Sequence, residues 1–580
     1  MRRILTATLF IVLQLAAGAQ TAPKTADTTR YLFPVRQVAG HYAANFGEIR
    51  PGHFHAGVDI KTDGAEGKPV VAVADGYVSR VVITTYGYGR AVYLTLKDGS
   101  TAVYGHLQRF RDDIAAHVQA ERYRRQSNGV DLWFKPDRWP VKQGELLGYS
   151  GNTGSSTGPH LHFELREAKT DRRLNLIRQG ILRAEDHLPP RILRVHYVEV
   201  DTVQGICQRT RPASYNTVLE ADGRYRLART EPVPVGRKGY FVVEVSDRRE
   251  NVHNTFAVWR LSATLDGEPF FEYRMDGFTY DCARCSDAVS WYAEQCRSRN
   301  EVIRMARQTG APEEFYPVLR EQGLVRVEAG CTHTLRIEAE DDCGNRSTLA
   351  FAIRGRDSQF RAQADSTALV LRPDRNNPVA FGRMLTAHIP AGALYESCYC
   401  HPEMLPAPKA DTGVVVLSPT LRLLEASVPL RKEATVTIQT DIPRALQLHA
   451  GLAHFDPDKK KWSYVGGTST GDAVTAKTRK TGWLAVVADT LAPRIRPRFA
   501  AGADLTRTQT LRFTVTDNFT GVATGTLHID GRWVPCDRLP MRSLFVYTFD
   551  TPPQRTRHHV RFTTTDGAGN TASWEGSFYR

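Results

Sequence analysis

One seven-residue phrase occurs twice in this chain, and it fixes how the rest can be divided. Asp186-His-Leu-Pro-Pro-Arg-Ile192 and Asp489-Thr-Leu-Ala-Pro-Arg-Ile495 share the pattern D-x-L-x-P-R-I. Each copy opens a region of short apolar runs. Each region closes on a strand and an acid-to-asparagine turn, Asp341-Asp-Cys-Gly-Asn345 in the first and Asp566-Gly-Ala-Gly-Asn570 in the second. Gly and Asn tolerate the positive φ that such turns need. A repeat of this kind implies two copies of one β module, expected as Ig-like β-sandwiches over residues 187–356 and 489–580. The first copy is long, and Ser286–Gln308 reads as a helical insertion within it. Residues 360–488 read as a further β-sandwich domain, with strand alternation in Ala434–Gln439 and Gly482–Ala488. No catalytic constellation stands out there.

The length of 580 residues accommodates three to four domains. At the N-terminus, Arg2 and Arg3 precede the apolar stretch Ile4–Ala17, and Ala17-Gly18-Ala19 forms a small-residue cleavage site. Residues 1–19 are therefore expected to be a signal peptide, since the stretch falls short of the ~20 residues that span a bilayer. No later segment is apolar enough to cross a membrane. The expected location is outside the cytoplasm, with the periplasm favoured over secretion or the cell surface. The formal charge is +14, and loss of Arg2 and Arg3 leaves about +12. A basic exported protein suits an anionic polymer, whereas export and the lack of any DNA-binding pattern exclude nucleic acid as a partner. Nine cysteines include Cys282-x-x-Cys285. An oxidising compartment favours disulfides or buried thiols over a structural zinc at these positions.

From Tyr31 to Glu167, glycine-punctuated apolar runs describe one compact antiparallel β domain, with bounds expected at 30–180. Pro69–Ala74, Gly76–Ile83, Arg90–Leu96 and Thr101–Tyr104 read as strands, and Asp75-Gly76 as a hairpin turn between the first two. Residues 108–141 break this rhythm. They are charged, helix-permissive and closed by Pro136 and Pro140, and they read as a partly helical insertion. The fold class is thus mainly β and multidomain.

Three segments of the first domain concentrate reactive side chains. They are Phe54-His-Ala-Gly-Val-Asp59, Tyr104-Gly-His-Leu107 and Gly158-Pro-His-Leu-His-Phe-Glu-Leu165. His160 and His162 would face opposite ways on a helix but share a face on a strand. The alternating Leu161, Phe163 and Leu165 support a strand. His55 and Asp59, four apart, lie on one side in either conformation, and Gly57 between them permits close backbone approach. With one further imidazole they make a two-histidine, one-carboxylate set, which leaves a metal's fourth position open for water or substrate. His53 competes with His55, but the Gly-x-Asp context favours His55. His41, His117, His187 and His196 read as surface or satisfied core residues.

These segments resemble those of the lysostaphin-type, or LytM-like, zinc endopeptidases of peptidoglycan. The likeness covers residues 40–168, and includes Val141-Lys-Gln-Gly-Glu145 and the glycine-rich Leu147–Gly154. It implies His55, Asp59 and His162 as ligands of one zinc ion, and His106 and His160 as catalytic residues beside it. The 108–141 insertion departs from the shorter link of many members. The expected activity is hydrolysis of stem-peptide cross-links for wall remodelling or cell separation, lost in acid as the histidines protonate. A direct D-Ala to diaminopimelate bond is the expected target, because a signal peptide without a wall anchor suits a periplasm. Other readings are a non-catalytic wall-binding scaffold or activator of another wall hydrolase, and an adhesin-like envelope protein with an accessory peptidase. Envelope protein partners would then bind through the β-sandwiches.

Overall fold

A computed structural model describes residues 30–580, so the signal peptide expected at 1–19 lies outside the described residues. The molecule is mainly β. Its first region is an antiparallel sheet. The strands are β1 (Tyr42–Ala44), β2 (Val58–Lys61), β3 (Gly76–Ile83), β4 (Arg90–Leu96), β5 (Thr101–Gly105), β6 (Val130–Trp133) and β7 (His160–Arg166), in the order β1-β2-β7-β5-β4-β3-β6. Both faces of this sheet are covered, which explains its unbroken apolar runs. Val92, Leu94 and Leu96 of β4 enter the main core with Leu161, Phe163 and Leu165 of β7. Their alternates Ala91 and Tyr93 join Val82 and Val103 in a smaller cluster on the other face. Each such buried side chain contributes about 1.5–3 kcal/mol.

Asp75-Gly76 does not close a hairpin. Pro69–Val71 pairs with Leu146–Tyr149 in a second, three-stranded sheet, while β3 pairs with β4. Asp75 directs this switch between sheets by accepting hydrogen bonds from Lys97 Nζ and the Gln143 backbone N–H at 2.9 and 2.8 Å. The expected insertion does hold a helix, α1 (Asp112–Arg125), and β6 then extends the main sheet. Helix α1 also carries the last β region. Arg122 and Arg90 both pair with Asp537, and Asn128 exchanges hydrogen bonds of 2.9 and 2.8 Å with Gly525 and Cys536.

The region after Asp186 forms one continuous twelve-stranded sheet rather than two separate ones. It curls around a common core that draws Val195, Val243, Leu261, Leu335 and Ile353 together and receives Phe46 and Phe54 from the first region. Only Ser286–Val289 and Tyr292–Gln295 of the expected helical insertion are helical, one turn each. Glu301–Arg304 is instead a buried strand beside residues 242–245. Its charged ends are accommodated there, since Glu301 accepts backbone N–H bonds from Ile49 and Val258. Two further sheets sandwich a core around Leu385, Val436 and Val486, and two more enclose Leu511, Phe513 and Phe562 in the last region. All nine cysteines are free thiols, so of the two expected alternatives, disulfides or buried thiols, no disulfide forms, and Cys285, Cys400 and Cys536 are buried.

Candidate functional site

Strand register assembles the site. His162 lies directly across from Asp59 on β2 and from Gly105 on β5, so these three form one row over adjacent strands. His160, two residues earlier on β7, projects from the same face. His106 follows Gly105 with φ +61°, in the left-handed region that turns its ring back over that row. His55 enters from the loop before β2.

His55 Nε2, Asp59 Oδ1 and His162 Nδ1 lie 2.8 to 3.1 Å from one another. The other nitrogen of each ring is committed. His55 Nδ1 meets the Asn45 carbonyl at 2.7 Å, and His162 Nε2 meets Glu164 at 2.9 Å. A carbonyl or carboxylate can only accept, so those nitrogens carry the protons of the neutral rings. Two lone pairs and an anionic oxygen therefore converge on one point, and a cation is what such a triangle requires. All three residues are buried.

Outer partners hold this arrangement. Glu164, fully buried, also accepts from Arg166 Nε at 2.8 Å and from the Tyr88 hydroxyl. Arg50 holds Asp59 Oδ2 at 3.1 Å. Burial works against charge on Asp59, but His55 and hydrogen bonds from His160 and His162 outweigh it and hold the carboxyl well below its usual range. Burial also opposes charge on His162, yet its bonds to Asp59 and Glu164 push it up to about 9. His55 is driven down to about 4, chiefly by burial.

His106 and His160 stack beside the triangle, with rings 4.7 Å apart. Each donates its Nδ1 proton to a carbonyl at 2.8 Å, Thr153 for His106 and Gly158 for His160, which leaves the Nε2 of His106 open to the site and puts His160 Nε2 3.5 Å from Asp59 Oδ1. Burial, followed by the neighbouring His160 and His162, lowers His106 to about 3. The five residues singled out in the sequence thus share one site. His53 does not join them, being exposed and turned to the Pro51 carbonyl. Asn45, Arg50, Thr153 and Glu164 escaped the sequence reading. Only Glu164 carried a signal, its alternation with His160 and His162.

Gly57 touches β7 so closely that an added Cβ would lie 2.3 Å from the Phe163 carbonyl oxygen. Gly57→Ala is expected to cost about 1–3 kcal/mol and to loosen the Asp59–His162 pair. Thermal melting and metal retention of the purified variant test this, and wild-type values for both would contradict it.

The last β region borders the site. Arg542 pairs with Glu66, and a cavity is lined by Gln108, Asn152 and Pro159 on one side and by Arg512 and Leu544 on the other.

Residues 53–122 and 137–175 match the model of Peptidase family M23, and residues 370–489 match that of a Zu5-like domain. The gap between the two M23 stretches falls inside the insertion at 108–141. An uncharacterized metalloprotease of Haemophilus influenzae is 38% identical over 118 residues, 20% of this chain and 19% of that protein. The DD-carboxypeptidase/endopeptidase Mpg of Neisseria meningitidis is 35% identical over 113 residues, 20% of each chain. The glycyl-glycine endopeptidase ALE-1 of Staphylococcus capitis is 34% identical over 114 residues, 20% of this chain and 25% of that one. This chain thus spans only about a fifth to a quarter of the length of these relatives. Among solved structures, the catalytic domain of lysostaphin from Staphylococcus simulans is 27% identical and covers 22% of this chain and 82% of its own, at a TM-score of 0.17 that carries no argument by itself. The M23 family implies a metal ion, and the His-Asp-His triangle is a group able to hold one.

Proposed function

From the peptidase M23 domain that the chain carries, we propose an exported zinc endopeptidase that hydrolyses peptide cross-links of bacterial peptidoglycan. The observation that carries this reading is the electron-rich triangle of His55, Asp59 and His162. Tetrahedral zinc with bonds of about 2.0–2.1 Å sets its donors roughly 3.3 Å apart. Separations of 2.8 to 3.1 Å are close to that spacing. One zinc ion per chain, held by these three residues, would polarise the scissile carbonyl and activate water. His106 and His160 are the catalytic residues. Of the pair, one accepts the proton of the attacking water and returns it to the leaving amine, and the other stabilises the developing oxyanion as an N–H donor. The endopeptidase names of the relatives support a cell-wall peptide as substrate. Incubation of the purified chain with muropeptide dimers should yield monomers, and a chelator should stop the reaction. Binding without cleavage would instead favour the scaffold reading.

The acid sensitivity expected of the histidines resides in the metal ligands rather than in His106. His162, raised to about 9 in the metal-free chain, is protonated at neutral pH, and zinc must displace that proton. Apparent zinc affinity is therefore expected to rise about tenfold per pH unit towards about pH 9. The sign reverses for the metal-free fold. There the raised His162 stabilises fully below its ordinary value, and the contribution is lost as pH rises through about 9. A competition titration with a chromophoric chelator at several pH values tests the affinity trend, and a flat profile would contradict it.

A further inference from the structure

The repeated phrase and its paired turn have a physical counterpart outside the peptidase site. Asp186 opens the first β region, Asp247 follows the strand Gly239–Ser246, and Asp341 begins the first acid-to-asparagine turn. Their carboxylates gather with ligand atoms within 4.8 Å of one another, all three residues buried. The second copy repeats the set with Asp489, Asp517 and Asp566. The surrounding bonds repeat as well. Leu188 N–H donates to Asp186 and Leu491 N–H to Asp489, at 3.1 and 3.3 Å. Asn345 Nδ2 bridges Asp341 and the Asp186 carbonyl at 2.8 and 3.1 Å, and Asn570 Nδ2 bridges Asp566 and the Asp489 carbonyl at 2.8 and 3.0 Å.

Hydrogen bonds satisfy most of these oxygens but not all. Asp247 is 0% exposed, and neither of its carboxylate oxygens has a partner. Asp186 Oδ2 is also buried and unpartnered, 4.0 Å from Arg249 Nε. That arginine bonds Asp342 through Nη2, and its buried Nε and Nη1 have no hydrogen-bond partner. In the second copy Asp517 is half-buried and its Oδ2 accepts from the Phe519 and Gly521 N–H groups, but its Oδ1 is enclosed without a partner. The Asp247 carboxylate, buried with no hydrogen bond and only the shared Arg249 guanidinium nearby, is costly without a further cation, and the same three-carboxylate cluster has formed twice.

We propose that each β module holds a calcium-type divalent cation, one bound by Asp186, Asp247 and Asp341 and one by Asp489, Asp517 and Asp566. Hard carboxylate donors without nitrogen or sulfur select calcium over zinc. Oxygens on opposite sides of calcium stand about 5 Å apart, which accommodates the observed clusters. Asp186 lies on the linker that enters its module, and Asp489 ends the last strand of the region before its module. An ion at each cluster would therefore tie the linker to the strand end and the turn, and fix how each module leaves the region before it.

The test uses the full mature chain, passed through chelating resin and equilibrated with calcium chloride up to about millimolar, the range of extracellular calcium modules. Expected are two calcium ions per chain and a melting temperature that rises with calcium. Asp247→Asn and Asp517→Asn should each lower the stoichiometry from two to one, and the double variant should lose both the binding and the calcium-dependent shift. Each amide keeps the shape of the side chain and one acceptor oxygen, so calcium-free melting should stay close to wild type, which confirms folding. Absence of calcium binding by the wild-type chain, or two ions retained in either variant, would overturn the proposal. Loss of cross-link cleavage with calcium stoichiometry intact would count against the peptidase reading alone.

Discussion

His106→Ala is expected to keep the wild-type metal content while kcat on muropeptide dimers falls by about 10²–10⁴-fold. The His106 ring is oriented by a single bond from Nδ1 to the Thr153 carbonyl at 2.8 Å, and it makes no hydrogen bond with His55 or Asp59. Its removal therefore deletes a catalytic ring without deleting a ligand. Because the backbone stands at φ +61°, His106→Asn is a useful companion, since asparagine tolerates that region better than alanine. Both variants should lose turnover alike, with KM nearly unchanged. Full turnover in either would remove His106 from the reaction.

His162→Ala is expected to lose metal and activity together. This one ring supplies a lone pair to the triangle and screens the fully buried Glu164. Alanine leaves two ligands and also leaves Glu164 with only Arg166 and Tyr88, so stability should fall by about 1–3 kcal/mol in addition. Glu164→Gln separates the two effects. It retains all three ligands but weakens the orientation of His162, and metal affinity is expected to drop about 10–100-fold rather than vanish. Equal metal loss in both variants, or none in His162→Ala, would contradict the assignment.

His55, Asp59, His160 and His162 were legible in the sequence because their spacing is local, whereas His106 and the division into ligands and catalytic residues came from the family resemblance. The two-residue spacing of His160 and His162 is a strand's period, and the intervening Leu161 and Phe163 enter the core as that period requires. His55 and Asp59 likewise needed only their spacing. The partners were not legible, because they arrive from a distance. Asn45, Thr153 and Arg50 act through a carbonyl or a guanidinium whose target is set by the folded sheet. Two local signals misled. Asp75-Gly76 has hairpin chemistry, but Gln143 and Lys97 claim the carboxylate and send the chain into another sheet. Glu301–Arg304 falls within the expected helical insertion, yet it is a buried strand in which Ile49 and Val258 satisfy Glu301. The role of helix α1 in carrying the last β region depends on Asp537, far away in sequence, and no local pattern announces it.

The central claim is tested most directly by anomalous diffraction at the zinc edge from crystals of the mature chain. The account predicts one strong peak at bonding distance from His55 Nε2, Asp59 Oδ1 and His162 Nδ1, with His106 and His160 facing it but not bonded to it. No peak at that position, or a peak bonded to His106 or His160 in place of one of the three, would contradict it.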